Sequence, residues 1–341
     1  MRRNRAVPTP STERGFTLVE LLIGMTLTLV ILAGALGVLQ DAARASNDAA
    51  ALTDVNQNIR VAMNVVIRDL VQAGEGDYSL RTGVSVPNGD GVDQIVRPSP
   101  DDTQWFFPAH YTVLPAVSTG NGIGPAVNGV ATDVVTLLYE DRSLSFSGVV
   151  PNIPASGASM NLGNDFDTDR IADGDLIRFG NGAMQEVTNV AGNTVHFHQD
   201  AASNLNQRDA PEGSVMALKG ESPTFPDLPV SRVLMITYYV STPANGLPRL
   251  IRRVNYGPER VIAIGIENLQ FSWDVVNGAD NPTNVDSFAD ASEGLIRKAN
   301  IFMSARSQAT SASNGQPTRS SLTTQVSLRS MAFVSRYDLA Q

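Results

Sequence analysis

The sequence predicts an α+β fold, in which one long N-terminal helix precedes a β-rich globular domain. Three observations support this class. Residues 16–39 are apolar except for one carboxylate, and residues 40–73 contain neither Pro nor Gly and space their apolar side chains three or four residues apart. After Gly74, β-branched segments alternate with turn residues, and the chain holds 28 Gly and 19 Pro. We expect the distal half of the helix to pack on an antiparallel β-sheet that carries an extra β-rich insertion.

The apolar segment, residues 16–39, is long enough to cross the roughly 30 Å hydrocarbon core of a membrane as a helix. Four arginines and one glutamate precede it, which gives residues 1–15 a net charge of +3. Under the positive-inside rule this short segment stays in the cytoplasm and the rest of the chain lies beyond the membrane. An ordinary secretory signal does not fit, because no small-residue cleavage site follows Leu39.

One ionisable side chain, Glu20, interrupts the apolar segment. A carboxylate in a membrane-spanning helix costs roughly 2.5–3.5 kcal/mol on insertion scales, and such groups usually have a partner. We therefore expect a cation close to Glu20. The plain alternative is a single-pass anchor in which this glutamate has no role.

Residues 14–20, RGFTLVE, resemble the signal of type IV prepilins, in which a short basic leader ends in glycine and Phe-Thr-Leu-Val-Glu follows. In that family a prepilin peptidase cleaves after the glycine and methylates the new amine. The resemblance implies cleavage between Gly15 and Phe16, loss of residues 1–15 as a leader peptide, and N-methylation of Phe16. It also implies that Glu20, about one helical turn from the new amine, pairs with the amine of a neighbouring subunit during assembly.

Residues 40–73 are predicted to continue the helix as its amphipathic half, with Gly74 as the C-cap. A helix over residues 16–73 would extend roughly 85–90 Å at ~1.5 Å per residue, so its distal half has to pack on a soluble domain. This is the lollipop shape of pilins, although a membrane-proximal coiled coil would use the same apolar stripe. The stripe consists of Leu52, Val55, Ile59, Met63, Val66, Ile67 and Leu70.

Residues 74–341 are predicted to form a β-rich globular domain on the periplasmic or extracellular side. Residues 187–197 are expected to form a hairpin around Gly192-Asn193, and the last two strands are expected to pair. Residues 77–128, with Trp105-Phe106-Phe107 as their one strong apolar anchor, and the polar residues 306–321 are expected to be loops. The predicted strands lie at residues 133–140, 187–197, 232–241, 249–256, 262–275, 298–305 and 324–334.

Composition favours an exported globular body. The 341 residues are 42% hydrophobic and 17% charged, which is typical of a folded domain. With no Cys, the body has no disulfide and depends on burial of its core. Removal of the leader changes the formal net charge from −9 to −12, which argues against binding of nucleic acid by bulk electrostatics.

Two polar groups are candidate metal sites. Segment NDFDTDRIADGD is rich in the oxygen ligands that calcium prefers, but it does not follow the EF-hand pattern, because Arg170 replaces the glycine and Leu176 the final glutamate. A solvated turn before a strand is the alternative. Near the predicted hairpin, two histidines and an aspartate alternate along one face of a strand, a spacing compatible with zinc ligands. The alternative is that they form an exposed face of the hairpin. The calcium candidates are Asp165, Asp167, Asp169, Asp173 and Asp175, and the zinc candidates are His196, His198 and Asp200.

A basic cluster in the C-terminal half could contact DNA phosphates, but a solvated edge strand is the favoured explanation, and we do not expect DNA among the partners. The cluster consists of Arg249, Arg252, Arg253 and Arg260. Catalytic motifs are missing from the sequence: GNGIGP at Gly120 lacks the Lys-Ser/Thr of a P-loop, and neither G-x-S-x-G nor H-E-x-x-H occurs. We therefore expect no enzyme and no cofactor apart from the candidate calcium ion.

Four body segments add to the resemblance: 133–139 (DVVTLLY), 174–177 (GDLI), 265–271 (GIENLQF) and 324–329 (TQVSLR). Their order is similar to that in PilW-type minor pilins and, more distantly, in GspJ-type pseudopilins. Gly37 also lies near the place where major pilins often carry a helix-bending Pro. The resemblance implies a minor pilin that a single helix holds in the inner membrane, with its body in the periplasm, until assembly brings it to the cell surface.

A minor pilin of this type would help to initiate or cap a type IV pilus. Its implied partners are the prepilin peptidase, other major and minor pilins, the inner-membrane assembly platform and the lipid bilayer. One alternative is a GspJ-like pseudopilin of a type II secretion system. The other is an adhesin or DNA-contacting module displayed at a fibre tip.

Overall fold

The structure is a computed structural model that describes residues 15–76, 78–180, 182–244, 246–288, 292–311 and 314–332. It confirms the α+β class, because a long N-terminal helix packs by its distal half on antiparallel β-sheets. The leader up to residue 14 lies outside the described residues. The helices are α1 Leu18–Gln72, α2 Tyr78–Thr82, α3 Val215–Lys219 and α4 Arg329–Ala332, with 3-10 turns at Thr168–Arg170 and Ser292–Leu295.

Helix α1 runs without a break from Leu18 to Gln72. Its C-cap is Ala73 and not the predicted Gly74, which follows with φ +74°, a left-handed conformation that glycine adopts at no steric cost. The Gly74 amide donates to the carbonyl of Leu138 at 2.8 Å, so the chain passes directly from the helix onto a strand. The C-terminal end of α1 is thereby fixed against the β-rich body.

The predicted stripe of α1 is buried over most of its length. Val55, Ile59, Met63, Val66 and Leu70 are buried, whereas Ile67 is half-buried and Leu52 is 42% exposed. Burial against the body therefore begins at Val55, although the first polar contact lies one to two turns earlier, at Asp48. The buried side of α1 also contains an acid that the stripe does not include, Asp69.

The β-strands form one central sheet, one three-stranded sheet beside the helix and three small sheets, and all pairings are antiparallel. The central sheet has the order β14-β13-β12-β6-β3, and β8 and β9 extend it along the first residues of β12. The strands are β1 Val84–Ser85, β2 Val113–Leu114, β3 Val117–Ser118, β4 Ala126–Val127, β5 Val130–Ala131, β6 Val135–Glu140, β7 Ser159–Asn161, β8 Leu176–Phe179, β9 Met184–Glu186, β10 Asn189–Ala191, β11 Thr194–His196, β12 Val230–Ser241, β13 Arg249–Val254, β14 Arg260–Ile264, β15 Ile266–Val275, β16 Ile296–Thr310 and β17 Pro317–Ser327.

The main core lies between α1 and these two larger sheets. Side chains of α1 share it with Trp273 and Ile301 of the three-stranded sheet and with Tyr238 and Leu250 of the central sheet. The predicted hairpin at residues 187–197 is present as β10 and β11, and β7 completes its small sheet. A second core lies beneath this hairpin, around Phe179 and Phe197.

The prediction of one strand over residues 262–275 was wrong, because Gly265 divides it. Gly265 has φ +86°, and a Cβ there would lie 2.3 Å from the carbonyl oxygen of Arg306, so only glycine fits. Its amide donates to the carbonyl of Pro248 at 2.7 Å. As a result β14 joins the central sheet and β15 joins the sheet beside the helix.

The prediction of a loop at residues 306–321 was also wrong, because most of these residues form the ends of β16 and β17. Their polar side chains have partners that the sequence does not reveal. Ser311 donates to Asp48 of α1 at 2.8 Å, and the hydroxyl of Ser320 donates to Asn56 at 2.6 Å. The β16–β17 hairpin therefore extends along the helix, where small polar residues fit against its polar side.

Residues 77–128 do not form a surface loop, although that was predicted. The described part of this segment buries Leu80, Val84, Phe107 and Leu114 in a third core against Met235 of the central sheet. Its strands are only two residues long, and its buried residues are separated by Gly, Pro and Asp. No helical or strand period therefore marks them in the sequence.

Candidate functional site

The predicted processing and assembly residues lie at the start of α1, where the assembly residue Glu20 forms a capping box with Thr17. Thr17 is the N-cap, and its hydroxyl accepts a hydrogen bond from the amide of Glu20 at 3.2 Å. In return, the amide and the hydroxyl of Thr17 each donate to Oε2 of Glu20 at 2.9 Å. The carboxylate is thus held against the first turn of its own helix.

This capping box gives the Glu20 carboxylate hydrogen-bond partners within its own helix. Two donors from Thr17 and the positive end of the helix dipole favour the Glu20 carboxylate before any second chain is present. No ion pair joins Glu20 to a cation within the described part of the chain. Pairing with the amine of a neighbouring subunit therefore stays a prediction.

The first half of α1 is apolar and exposed. Within the described residues, α1 is the one helix long and apolar enough to cross a membrane, with a mean hydropathy of 2.4 over its most apolar window and no residue of that window buried. Phe16, which the predicted cleavage would make the first residue, is 88% exposed. This surface has to be covered by lipid or by other helices.

The helix projects well beyond the body. From Leu18 to Asn47 every residue of α1 is exposed, and these residues extend roughly 45 Å at ~1.5 Å each. This length exceeds the roughly 30 Å of a hydrocarbon core. The projecting helix can therefore span a bilayer and still hold the body away from its surface.

A buried polar cluster joins the distal half of α1 to the central sheet. Asp69 is 1% exposed, and its Oδ2 accepts hydrogen bonds from Nε of Arg252 at 2.7 Å and from the hydroxyl of Tyr238 at 2.6 Å. Burial, together with the adjacent Asp69 carboxylate, raises the pKa of Tyr238 above its usual range and that of Tyr139 to about 12. Both phenols are therefore neutral at physiological pH, the Tyr238 hydroxyl donates to Asp69, and this cluster fixes the helix against the sheet.

The structure disperses the candidate calcium ligands. Asp167 caps the 3-10 turn by accepting from the amide of Asp169, and Asp175 accepts from the Ala172 amide at 3.1 Å and from Arg232 at 3.1 Å. Among the described residues, no three His, Cys, Asp or Glu side chains come together where they could hold a metal ion. The geometry thus gives no support to calcium at Asp165, Asp167, Asp169, Asp173 and Asp175.

The geometry gives no support to a zinc site either. The rings of His196 and His198 stack with their centroids 5.9 Å apart, and Asp200 follows beyond the end of β11. None of the three belongs to a metal-binding group within the described chain. The geometry of this hairpin end fits the alternative interpretation, an exposed face without a metal ion.

The predicted basic cluster is largely neutralised by the fold. Arg252 binds Asp69, and Arg253 lies 3.0 Å from Asp101 and donates to the carbonyl of Gly257 at 2.8 Å. Arg260 is exposed at the start of β14. Because two of these cations are used inside the body, the cluster is a weaker candidate for DNA contact than the sequence indicates.

Sequence reasoning overlooked two features of the site. Thr17 and Glu20 follow the T-x-x-E pattern of a capping box, a signal that was present in the sequence but was not used. Asp69 carried no such signal, because Arg252 and Tyr238 lie more than 160 residues away along the chain. Only the tertiary structure joins these three side chains.

Comparison with known proteins identifies the N-terminal segment. The profile described as the prokaryotic N-terminal methylation motif matches residues 10–36. No curated protein sequence matches the chain, and no solved structure matches its fold. The match covers the predicted cleavage and assembly residues together with most of the apolar segment, residues 16–39, and leaves the body unassigned.

The capping box, the exposed apolar helix and the matched motif describe one functional unit at the N-terminus. The motif is the prepilin-type signal, and it supports processing by a prepilin peptidase and assembly with other pilins. The apolar helix fits anchoring in a membrane. This chain therefore carries the N-terminal signal of a type IV pilin or pseudopilin.

Proposed function

We propose that this chain is a PilW-like minor pilin that helps to initiate or cap assembly of a type IV pilus. After cleavage between Gly15 and Phe16, the inner membrane holds the mature chain by its single helix, with the body in the periplasm. Assembly then exchanges lipid contacts of the helix for contacts with other pilin helices. The chain acts as a structural subunit and not as an enzyme.

The observation that carries this proposal is the projecting helix. Residues 18–47 expose a continuous surface, apolar as far as Leu39, that the body does not cover. A simple anchor needs only the membrane-spanning part, whereas a fibre subunit needs additional helix to pack against its neighbours. Pairing of Glu20 with a neighbour's amine would set the register of this packing.

The body gives a reason to favour a minor over a major subunit. It begins after Gly74 and has three cores in addition to a small aromatic cluster, so it is large for a subunit repeated along a fibre. A bulky body is most easily accommodated at an end of the fibre. This argument supports initiation or capping.

A GspJ-like pseudopilin is the second candidate, because the same signal and projecting helix suit it equally well. The test is deletion of the gene, followed by electron microscopy of surface fibres and by measurement of secreted enzymes. We expect loss of fibres with normal secretion, and recovery of fibres with the wild-type gene.

Complementation with Glu20→Ala should not restore the fibres, whereas Glu221→Gln, an exposed change on the body, should restore them. Loss of secretion with normal fibres would support the pseudopilin instead. If neither fibres nor secretion changed, an assembly role would be excluded.

A further inference from the structure

The two faces of the central sheet differ in what covers them. Neighbouring residues of a strand point to opposite faces, and in β12 Tyr238 binds Asp69 of α1. Tyr239 therefore points away from the helix, and there it meets Trp105 edge-to-face with ring centroids 5.1 Å apart. If the proposed function is correct and helices form the centre of a fibre, the Trp105 face remains accessible after assembly.

A cleft of about 290 Å³ opens beside Trp105 on this face. We name it the Trp105 cleft. Trp105 and Ile123, which is 40% exposed, contribute apolar surface. The polar groups that line it are the carboxylate of Asp102 and the hydroxyls of Thr103, Ser241 and Thr242.

This combination of groups suits a ligand that has one flat apolar face and hydroxyls around its edge. An indole offers a flat apolar surface, and the hydroxyls and carboxylate can donate to and accept from a ring of ligand hydroxyls. A sugar ring has the complementary pattern, with apolar C–H groups on its face and hydroxyls around its edge. None of the residues that line the cleft is basic, so phosphate or sulfate groups would find no positive partner.

The aromatic surface is held in place before any ligand arrives. The Trp105 carbonyl accepts from the amide of Arg97 at 2.6 Å, and Tyr239 donates its hydroxyl to Glu259 at 2.6 Å. Arg97 is itself buried and donates to the carbonyl of Thr119 at 2.5 Å. Because Trp105 and Tyr239 are already fixed, less conformational entropy is lost when a ligand binds.

We propose that the Trp105 cleft binds a neutral carbohydrate. Trp105 packs against the apolar face of one sugar ring, and Asp102 and Thr242 bind its hydroxyls. A pilin or pseudopilin with this cleft would carry a saccharide-binding surface on the side of its body that the helix does not cover.

The experiment uses the mature full-length chain in detergent and follows tryptophan fluorescence. The chain has two tryptophans, and Trp273 is 1% exposed in the helix-facing core, so a change on ligand addition reports on Trp105. The probes are cellohexaose, maltohexaose and chitohexaose, each titrated to about 10 mM, a range suited to weak, millimolar Kd values. We expect a saturable change with at least one probe.

A double variant and a control variant separate binding from folding. Combined Asp102→Asn and Thr242→Ala should raise the Kd at least about tenfold, because charged and neutral hydrogen bonds are lost while Trp105 keeps its packing. Phe106→Ala should leave the Kd unchanged, since Phe106 is 43% exposed beside Trp105 but does not line the cleft.

Three outcomes would overturn the proposal: no saturable change with any of the three probes, an unchanged Kd in the double variant, or tighter binding of a sulfated heparin hexasaccharide. The measurement does not require assembly. Its failure therefore leaves the proposed pilin function untouched, and failure of fibre assembly leaves the binding result untouched.

Discussion

The buried carboxylate of Asp69 provides the sharpest test of how the helix is joined to the body. In Asp69→Asn the side chain keeps its shape, but Arg252 loses its anionic partner while its own side chain stays only 15% exposed. Loss of one partner of a buried pair typically costs 3–5 kcal/mol, and the residual exposure of Arg252 places the expected cost at about 3 kcal/mol. At roughly 2–4 °C per kcal/mol for a body of this size, Tm should fall by about 6–12 °C.

Thermal unfolding of the mature chain in detergent, followed by circular dichroism, measures this change. The matched control is Asp41→Asn on the same helix, where the partner Arg44 lies 3.4 Å away and the two side chains are 78% and 46% exposed. Such a surface pair contributes about 0.5 kcal/mol or less, so the control should lower Tm by no more than about 2 °C.

A double variant separates the ion pair from the general cost of substitution. Asp69→Asn combined with Arg252→Gln removes both charges, and it should be more stable than Asp69→Asn alone, because no buried charge is left unpaired. If Asp69→Asn unfolds at the wild-type Tm, or if the two substitutions simply add, the pair does not hold the helix and the reasoning is refuted.

Three further predictions concern processing, assembly and pH. Gly15→Ala should block removal of the leader, and a normal N-methyl-Phe16 product in mass spectrometry would contradict the cleavage assignment. Glu20→Ala should leave processing intact but reduce incorporation into fibres at least about tenfold, since the partner amine loses a charged hydrogen bond worth about 1.5–3 kcal/mol; unchanged fibre content would contradict the pairing. Glu293 is buried in the 3-10 turn Ser292–Leu295 and accepts a hydrogen bond from Tyr111. Burial raises its pKa, so its contribution to stability is fully present below its unfolded pKa and is lost as pH rises through the folded value. Glu293→Gln should therefore gain stability relative to wild type as the pH rises above 4.5, the ordinary pKa of this carboxyl, and a pH-independent difference in Tm would count against this linkage.

The sequence predicted the elements that have a long period or a specific motif. A stripe with apolar residues three or four positions apart persists over several turns of α1, so its buried face could be recognised from residues such as Val55 and Leu70. The hairpin at Gly192-Asn193 followed from turn chemistry alone. These features are local, and nearby residues in the chain are sufficient to specify them.

Elements without a local period were mispredicted. Residues 77–128 form their core from isolated apolar side chains such as Leu80 and Phe107, which meet only after the chain has folded. The polar ends of β16 and β17 resemble a loop in composition, but Asp48 and Asn56 of α1 supply their partners. Gly265 divides a strand-like run because a backbone carbonyl from β16 lies where a Cβ would be.

By itself, the sequence determined the functional unit at the N-terminus. The predicted cleavage residue Phe16, the N-cap Thr17 and Glu20 lie within about one helical turn of one another, so their order in the chain is also their arrangement in space. The tertiary structure alone decided how that helix is held by Asp69, and which side of the body carries the Trp105 cleft. Both depend on contacts between residues more than 100 positions apart, and such contacts leave no period in the sequence.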